Sequence, residues 1–197
     1  MTSIRAFIAL ELPPPAVSLL QEVQQELKRL KIRARWVRPE NIHLTLKFLG
    51  DINPDDVGKI SDAMTSAAAD TSPVTLSVRG IGVFPGIKRP RVIWIGLDGN
   101  IQEVLALQGR LETGLDTLGF PREKRAFKAH LTLGRIKQAV NPDVIRQLMG
   151  QYAGLDSDEF TCDQVILFKS DLNPSGAEYS KLKQTNFGMT KWNDDLE

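Results

Sequence analysis

The sequence predicts an α+β fold built by duplication. Three observations carry that expectation. Short apolar runs suited to strands alternate with amphipathic helical stretches. The tetrapeptide His43-Leu44-Thr45-Leu46 returns 87 residues later as His130-Leu131-Thr132-Leu133. The elements around the two copies return in the same order, and a period this long marks a duplication rather than a solenoid.

Taken in order, Ile4–Leu10 is an apolar run that reads as a strand. Pro13-Pro14-Pro15 then opens a helix, because proline is tolerated in the first turn. Val17, Leu20, Val23, Leu27 and Leu30 recur at three and four, which gives that helix one apolar face. Ile42–Leu49 alternates as a strand does. Asn53-Pro54-Asp55-Asp56 combines a cap, a proline and an acidic first turn, and the helix it starts runs to about Ala69. Val74–Val83 and Arg91–Leu97 read as strands, separated by Pro85-Gly86 and Arg89-Pro90. Ile101–Leu118 is helical and Ala129–Ile136 a strand. Asn141-Pro142-Asp143 starts a helix to about Tyr152, Phe160–Lys169 and Glu178–Gln184 are strands, and the chain after Phe187 is polar. Ile8-Ala9-Leu10 is answered by Ile95-Gly96-Leu97 at the offset of the histidine motif, and Asn53-Pro54-Asp55 by Asn141-Pro142-Asp143. Two related lobes follow, read as one domain over residues 1–188 with a polar tail over 189–197.

Composition narrows the function classes. With 42% apolar and 25% charged residues the chain is globular. Its one cysteine, Cys162, excludes an internal disulfide framework and a cysteine-based zinc site. Without a signal peptide or an apolar run of spanning length, the expectation is a soluble cytoplasmic protein, away from membranes and monomeric. The net charge of +1 hides an uneven distribution. Residues 28–47 carry +6, residues 122–137 carry +5 and residues 86–91 carry +3, leaving −13 on the rest. Each run alone could be a solvated face. Two of the three contain the chain's only histidines, which favours a positive surface for a polyanion.

Strand side chains alternate between faces, so within each motif the histidine and the threonine share one face and the leucines the other. Lobes facing each other across a cleft would bring two imidazoles and two hydroxyls together with approximate twofold symmetry. An imidazole exchanges a proton near neutrality, and two of them on opposite sides of one atom suit an in-line displacement. Thr45 and Thr132 can donate hydrogen bonds to phosphate oxygens. The fifth position after each histidine holds Phe48 and Arg135. One bend in each strand would bring both to the cleft rim, Arg135 as a phosphate clamp and Phe48 stacked on a base. The plainer alternatives are a core phenylalanine and a solvated arginine. No carboxylate or thiolate accompanies the motif histidines, so a third ligand for a catalytic metal would have to come from elsewhere in the chain; the expectation is a protein with no metal and no cofactor. No Walker-type loop is present, and Gly96-Leu97-Asp98-Gly99 does not fit a dinucleotide fingerprint.

With these residues in place, the chain resembles the two-histidine (2H) phosphoesterase superfamily, defined by paired His-x-Thr-x motifs. Within it the likeness is to the RNA 2′,3′-cyclic phosphodiesterases, also described as 2′-5′ RNA ligase-like proteins. The residues that carry it are Arg5–Leu10, Trp36–Gly50, Phe127–Arg135 and, more loosely, Gly119–Arg125 and Arg91–Leu97. One departure is Ala129, where the family commonly has proline.

The resemblance implies the duplicated bilobal, LigT-like fold, with two mainly antiparallel sheets lining a central cleft and helices outside. It implies metal-independent hydrolysis of a 2′,3′-cyclic phosphate, at an RNA end or on a nucleotide, to a 2′-phosphomonoester. His43 would be the proton donor to the departing 3′ oxygen and His130 the proton acceptor that activates water. Thr45, Thr132 and Arg135 would hold the phosphate, with Phe48 close to the nucleotide. The split between acid and base rests on the resemblance, since the repeat treats both histidines alike. Reversal would join a 2′-phosphate-derived end to a 5′-hydroxyl. The alternatives are a non-catalytic RNA-binding module and a phosphodiesterase for another nucleotide ester, such as a 2′-5′ oligoadenylate or an ADP-ribose cyclic phosphate.

Overall fold

The computed structural model describes residues 3–30, 32–174 and 176–188, so the polar tail over 189–197 lies outside the described residues. The chain begins with β1 (Ile4–Glu11) and α1 (Pro14–Arg29). α1 buries Leu20, Val23 and Leu27 of the expected face together with Ala16 and Gln24, whereas Val17 is half-buried and Leu30, past the helix end, is exposed. A short strand β2 (Ala34–Trp36) and a 3-10 turn (Pro39–Asn41) lead to β3 (His43–Ile52). Another 3-10 turn, Pro54–Asp56, starts α2 (Val57–Ala69). Then come β4 (Val74–Phe84), β5 (Val92–Gly99), α3 (Ile101–Asp116), β6 (His130–Ile136) and α4 (Pro142–Gln151). β7 (Phe160–Cys162), β8 (Gln164–Asn173) and β9 (Gly176–Asn186) complete the described chain. The two Asn-Pro-Asp starts use the same cap: Asn53 accepts from the Asp55 amide at 3.1 Å and Asn141 from the Asp143 amide at 2.9 Å.

Two departures from the sequence expectation shape the sheet. The expected strand Phe160–Lys169 is broken at Asp163 into β7 and β8. β2 was hidden inside a basic run, although Ile32, Ala34 and Trp36 alternate there with arginines.

The strands form an antiparallel sheet in the order β7-β4-β5-β6-β3-β1-β8-β9, with β2 paired to β6. The two expected sheets are its halves, β7-β4-β5-β6 and β3-β1-β8-β9. Among the described residues they join only where Leu44 of β3 lies opposite Leu131 of β6. Each half contains strands of both repeats. β4, which closes the first repeat, pairs with β5 of the second, and β8 pairs with β1 of the first. This exchange couples the lobes. One residue, Asp163, separates β7 at one edge from β8 in the other half, so the sheet must curl to bring them together. The main apolar core packs on one face, where the helices lie. A second, smaller cluster of Phe7, Ala9, Ile166 and Phe168, with Tyr179 against it, occupies the other face.

Both motif strands lose their alternation at the same place. β1 pairs Ala9 with Thr45 and Ile8 with Lys47, leaving Leu46 as an extra residue. β5 pairs Trp94 with Thr132 and Ile93 with Gly134, leaving Leu133 extra. These are β-bulges, in which two successive side chains take one face. The burial agrees, for Leu46 and Lys47 are both buried, as are Leu133 and Gly134. Gly134 leaves room for an indole: a Cβ there would stand 2.9 Å from Cε3 of Trp36.

A buried polar side chain from the opposite repeat attends each bulge. Glu112 of α3 pairs with Lys47 at 2.6 Å, and the Lys47 ammonium also donates to Pro121 O at 2.6 Å. Gln24 of α1, fully buried, donates to Leu133 O at 2.8 Å and to Val37 O at 2.9 Å. Lys47 therefore does not belong to the basic surface its sequence neighbours suggested.

Removing one partner of a buried ion pair leaves a stranded charge, so Glu112→Ala should destabilise the protein by about 3–5 kcal/mol. The double change Lys47→Met with Glu112→Leu should recover most of that loss. Chemical denaturation of the three variants checks both.

Candidate active site

The Leu44–Leu131 pairing decides where the chemistry-bearing side chains go. Residues directly opposite in an antiparallel pair share a face, and their sequence neighbours take the other. Extending the register by one step sets His43 across from Thr132 and His130 across from Thr45. All four therefore emerge on the face opposite the buried leucines. The histidines become diagonal neighbours, which in a regular pair lie roughly 7–8 Å apart.

The bulges add the remaining expected residues. After the doubled inward pair, parity reverses, and Phe48 and Arg135 turn to the histidine face. Both are exposed, Phe48 at 65%, which rules out the core alternative for its ring. The Phe48 and Phe7 rings lie 6.1 Å apart. The structure thus brings His43, Thr45, Phe48, His130, Thr132 and Arg135 to one face.

Each imidazole is held in the same way. His43 Nδ1 lies 2.7 Å from Asn41 O, and His130 Nδ1 lies 2.7 Å from Lys128 O, in both cases two residues back. A carbonyl only accepts, so each Nδ1 carries a proton and donates it. Nε2 is then the atom whose protonation can change. Neither Nε2 makes a hydrogen bond among the described residues.

Their surroundings differ. His43 stacks on Phe7 at 4.6 Å and 22°, with the Tyr179 ring edge-on at 5.4 Å. Asn41 links these parts, because its side chain donates to Ala177 O of β9 at 2.8 Å while its carbonyl orients His43. Burial pushes the His43 imidazole down from 6.5 to about 4, partly opposed by the bond to Asn41 O. His130 meets Phe84 edge-on at 5.0 Å and Trp94 at 6.1 Å. Its pKa is lowered chiefly by burial, and further by the positive charges of Lys128 and Arg135, against the raising effect of the bond to Lys128 O. Lys128 Nζ sits 4.2 Å from the centroid of the Trp94 ring. That indole lies flat over Gly82, where a Cβ would come within 2.1 Å of Cζ2.

Sequence reasoning missed Phe7, Tyr179, Trp94 and Lys128. Phe7 and Trp94 stand 87 residues apart, at the offset of the motif, which could have found them. Nothing local marked Tyr179. Among the described residues no group of three His, Cys, Asp or Glu side chains could hold a metal ion. No helix there is long and apolar enough to cross a membrane.

A duplicated, curled antiparallel sheet with a histidine motif repeated at its midline defines the class. The family described as LigT like Phosphoesterase matches twice, over residues 10–94 and 95–179. The chain belongs to that family of enzymes. Relatives named RNA 2′,3′-cyclic phosphodiesterase include one from Methanothermobacter thermautotrophicus, 32% identical over 91% of this chain and 97% of its own. Another, from Archaeoglobus fulgidus, is 32% identical over 91% of this chain and 98% of its own. A crystal structure of a Thermus thermophilus protein superposes with a TM-score of 0.79 at 25% identity, covering 94% of this chain and 99% of that one. The apo form of E. coli LigT shares the fold, with a TM-score of 0.76 at 20% identity over 96% of this chain and 100% of its own.

The state of His43 has a consequence for stability. The unfolded chain takes up this proton near 6.5 and the folded one only near 4. Between those values the unfolded state binds more protons, so stability present above pH 6.5 is lost as the pH falls toward 4. Denaturation followed across that window should show the decline, and His43→Phe should flatten part of it. An unchanged slope would contradict a buried neutral ring.

Proposed function

We propose that this protein hydrolyses 2′,3′-cyclic phosphates at RNA ends or on nucleotides to 2′-phosphomonoesters, with the two imidazoles as acid and base. The observation that carries this reading is the matched tethering of the rings. Each has Nδ1–H committed to a carbonyl, Nε2 unengaged, and a place on the common face across the Leu44–Leu131 pair.

The phosphate sits between the rings. Its non-bridging oxygens accept from the Thr45 and Thr132 hydroxyls and from the Arg135 guanidinium. Water attacks phosphorus from the His130 side, and its proton passes to His130 Nε2. The P–O3′ bond breaks, and His43 Nε2–H protonates the departing oxygen. Solvent exchange then resets both rings. The surroundings support this division of labour. Lys128 and Arg135 oppose protonation of His130 and keep it a base. No such cation lowers His43, whose depression comes from burial. With its pKa at about 4, His43 is mostly neutral in the empty cleft at pH 7. A phosphate anion beside it replaces the lost hydration and favours the imidazolium. Once formed there, that imidazolium is a strong acid. A 5′-hydroxyl in place of water would give a 2′-5′ linkage by the same steps.

Replacing either histidine by alanine should lower turnover of an oligonucleotide 2′,3′-cyclic phosphate by at least about 10²–10⁴-fold, with a 2′-phosphomonoester as the wild-type product. Addition of EDTA should leave the wild-type rate unchanged. Wild-type turnover by either mutant, or a 3′-phosphomonoester product, would overturn the reading.

The pH profile is a second test. Both imidazoles are depressed in the empty cleft and raised by a seated anion. The limbs of the kcat profile should therefore lie at higher pH than those of kcat/KM. Coincident profiles would contradict this account of the two rings.

A further inference from the structure

The basic side chains on the histidine face extend beyond the reacting centre. Arg35 of β2 lies directly opposite Arg135 of β6 in register, so both project on one face. Their strand neighbours Trp36 and Gly134 pack together on the other. Two like charges directly opposite in adjacent strands repel and cost stability. Among the described residues neither arginine forms an ion pair that would offset this.

A third strand system converges on the same place. Tyr179 of β9 leans against His43, and its hydroxyl lies within electrostatic reach of Arg135, Arg35 and Arg5. Burial raises the phenol above its ordinary 10, so near neutral pH it remains a neutral donor. Arg5 stands opposite Asp51 in register but forms no ion pair with it. Arg135 alone suffices to clamp a single phosphate, which leaves the positive charge of Arg35 without a partner in the reaction described above.

We propose that Arg35, on the face it shares with Arg135, forms a second anion subsite, which takes a phosphate on the 5′ side of the nucleoside bearing the cyclic phosphate. This rests on the cyclic phosphodiesterase reading and sharpens its substrate class. The preferred substrate carries two phosphates one nucleoside apart, and Phe48 is placed to stack on a base. The second phosphate is either the 5′-phosphate of a mononucleotide or the phosphodiester of a longer RNA. The chemistry of recognition is the same for both.

The test compares kcat/KM for adenosine 2′,3′-cyclic phosphate, its 5′-phosphorylated form and the dinucleotide ApA ending in a 2′,3′-cyclic phosphate. Wild type, Arg35→Ala and Arg35→Lys are assayed, with thermal unfolding as the check on folding. In wild type at least one of the two-phosphate substrates should exceed the single-phosphate one by about tenfold, the scale of a charge-assisted hydrogen bond. Arg35→Ala should remove that advantage while changing turnover of the single-phosphate substrate by less than about threefold, and Arg35→Lys should restore part of it. The salt dependence of KM for the favoured substrate should also weaken by about one unit of log–log slope in Arg35→Ala. An advantage shown by the dinucleotide alone assigns the subsite to the RNA chain, and one shown by the 5′-phosphorylated mononucleotide alone assigns it to nucleotides. An unaltered preference in Arg35→Ala overturns the proposal. So does an equal loss on all three substrates, which would place Arg35 on the reacting phosphate. Failure of wild type to hydrolyse any of them sinks the underlying reading instead, and the subsite with it.

Discussion

The histidine face is completed by one backbone irregularity made twice. A regular strand would send the fifth motif residue to the face opposite the histidine. The bulges at Leu46 and Leu133 reverse that and turn Phe48 and Arg135 to join the imidazoles. A bulge leaves backbone groups out of the ladder, and here buried polar side chains serve the surroundings. Leu133 O accepts from both the Val37 amide and Gln24 Nε2. At the other bulge the extra inward residue is followed by a lysine, whose buried charge is met by Glu112 and Pro121 O.

The support is crossed between repeats. Gln24 belongs to the first copy and steadies the second motif, and Glu112 belongs to the second copy and steadies the first. The exchanged strands β4 and β8 follow the same logic. Neither half completes its sheet or its motif from its own sequence. The relative position of the two histidines is therefore fixed by the whole fold.

Symmetry sets the positions of the two rings, and its breaking sets their surroundings. The same carbonyl bond fixes both tautomers. Phe7 in one copy corresponds to Trp94 in the other, and the replacement changes each ring's neighbours. Phe7 stacks on His43. Trp94 meets His130 at an angle and carries the Lys128 ammonium on its face. Burial is the largest cause at both rings, and at His130 the positive charges of Lys128 and Arg135 add to it.

Most of the elements, and the residues that meet on the histidine face, were legible in the sequence because they rest on local signals. Apolar periodicity, Asn-Pro-Asp caps and a duplicated His-Leu-Thr-Leu are properties of neighbouring residues, and each survives translation into structure. The sequence by itself also determined that His43 and Thr45 share a face, as do His130 and Thr132, since strand alternation requires it. What only tertiary structure decided are pairings between distant segments. The Leu44–Leu131 register, the break at Asp163, the burial of Lys47 against Glu112 and the approach of Tyr179 to His43 depend on which strands meet after the sheet curls. A run of basic residues reads the same whether a given lysine faces solvent or a buried carboxylate. That choice belongs to packing, because the partner lies 65 residues away in the chain.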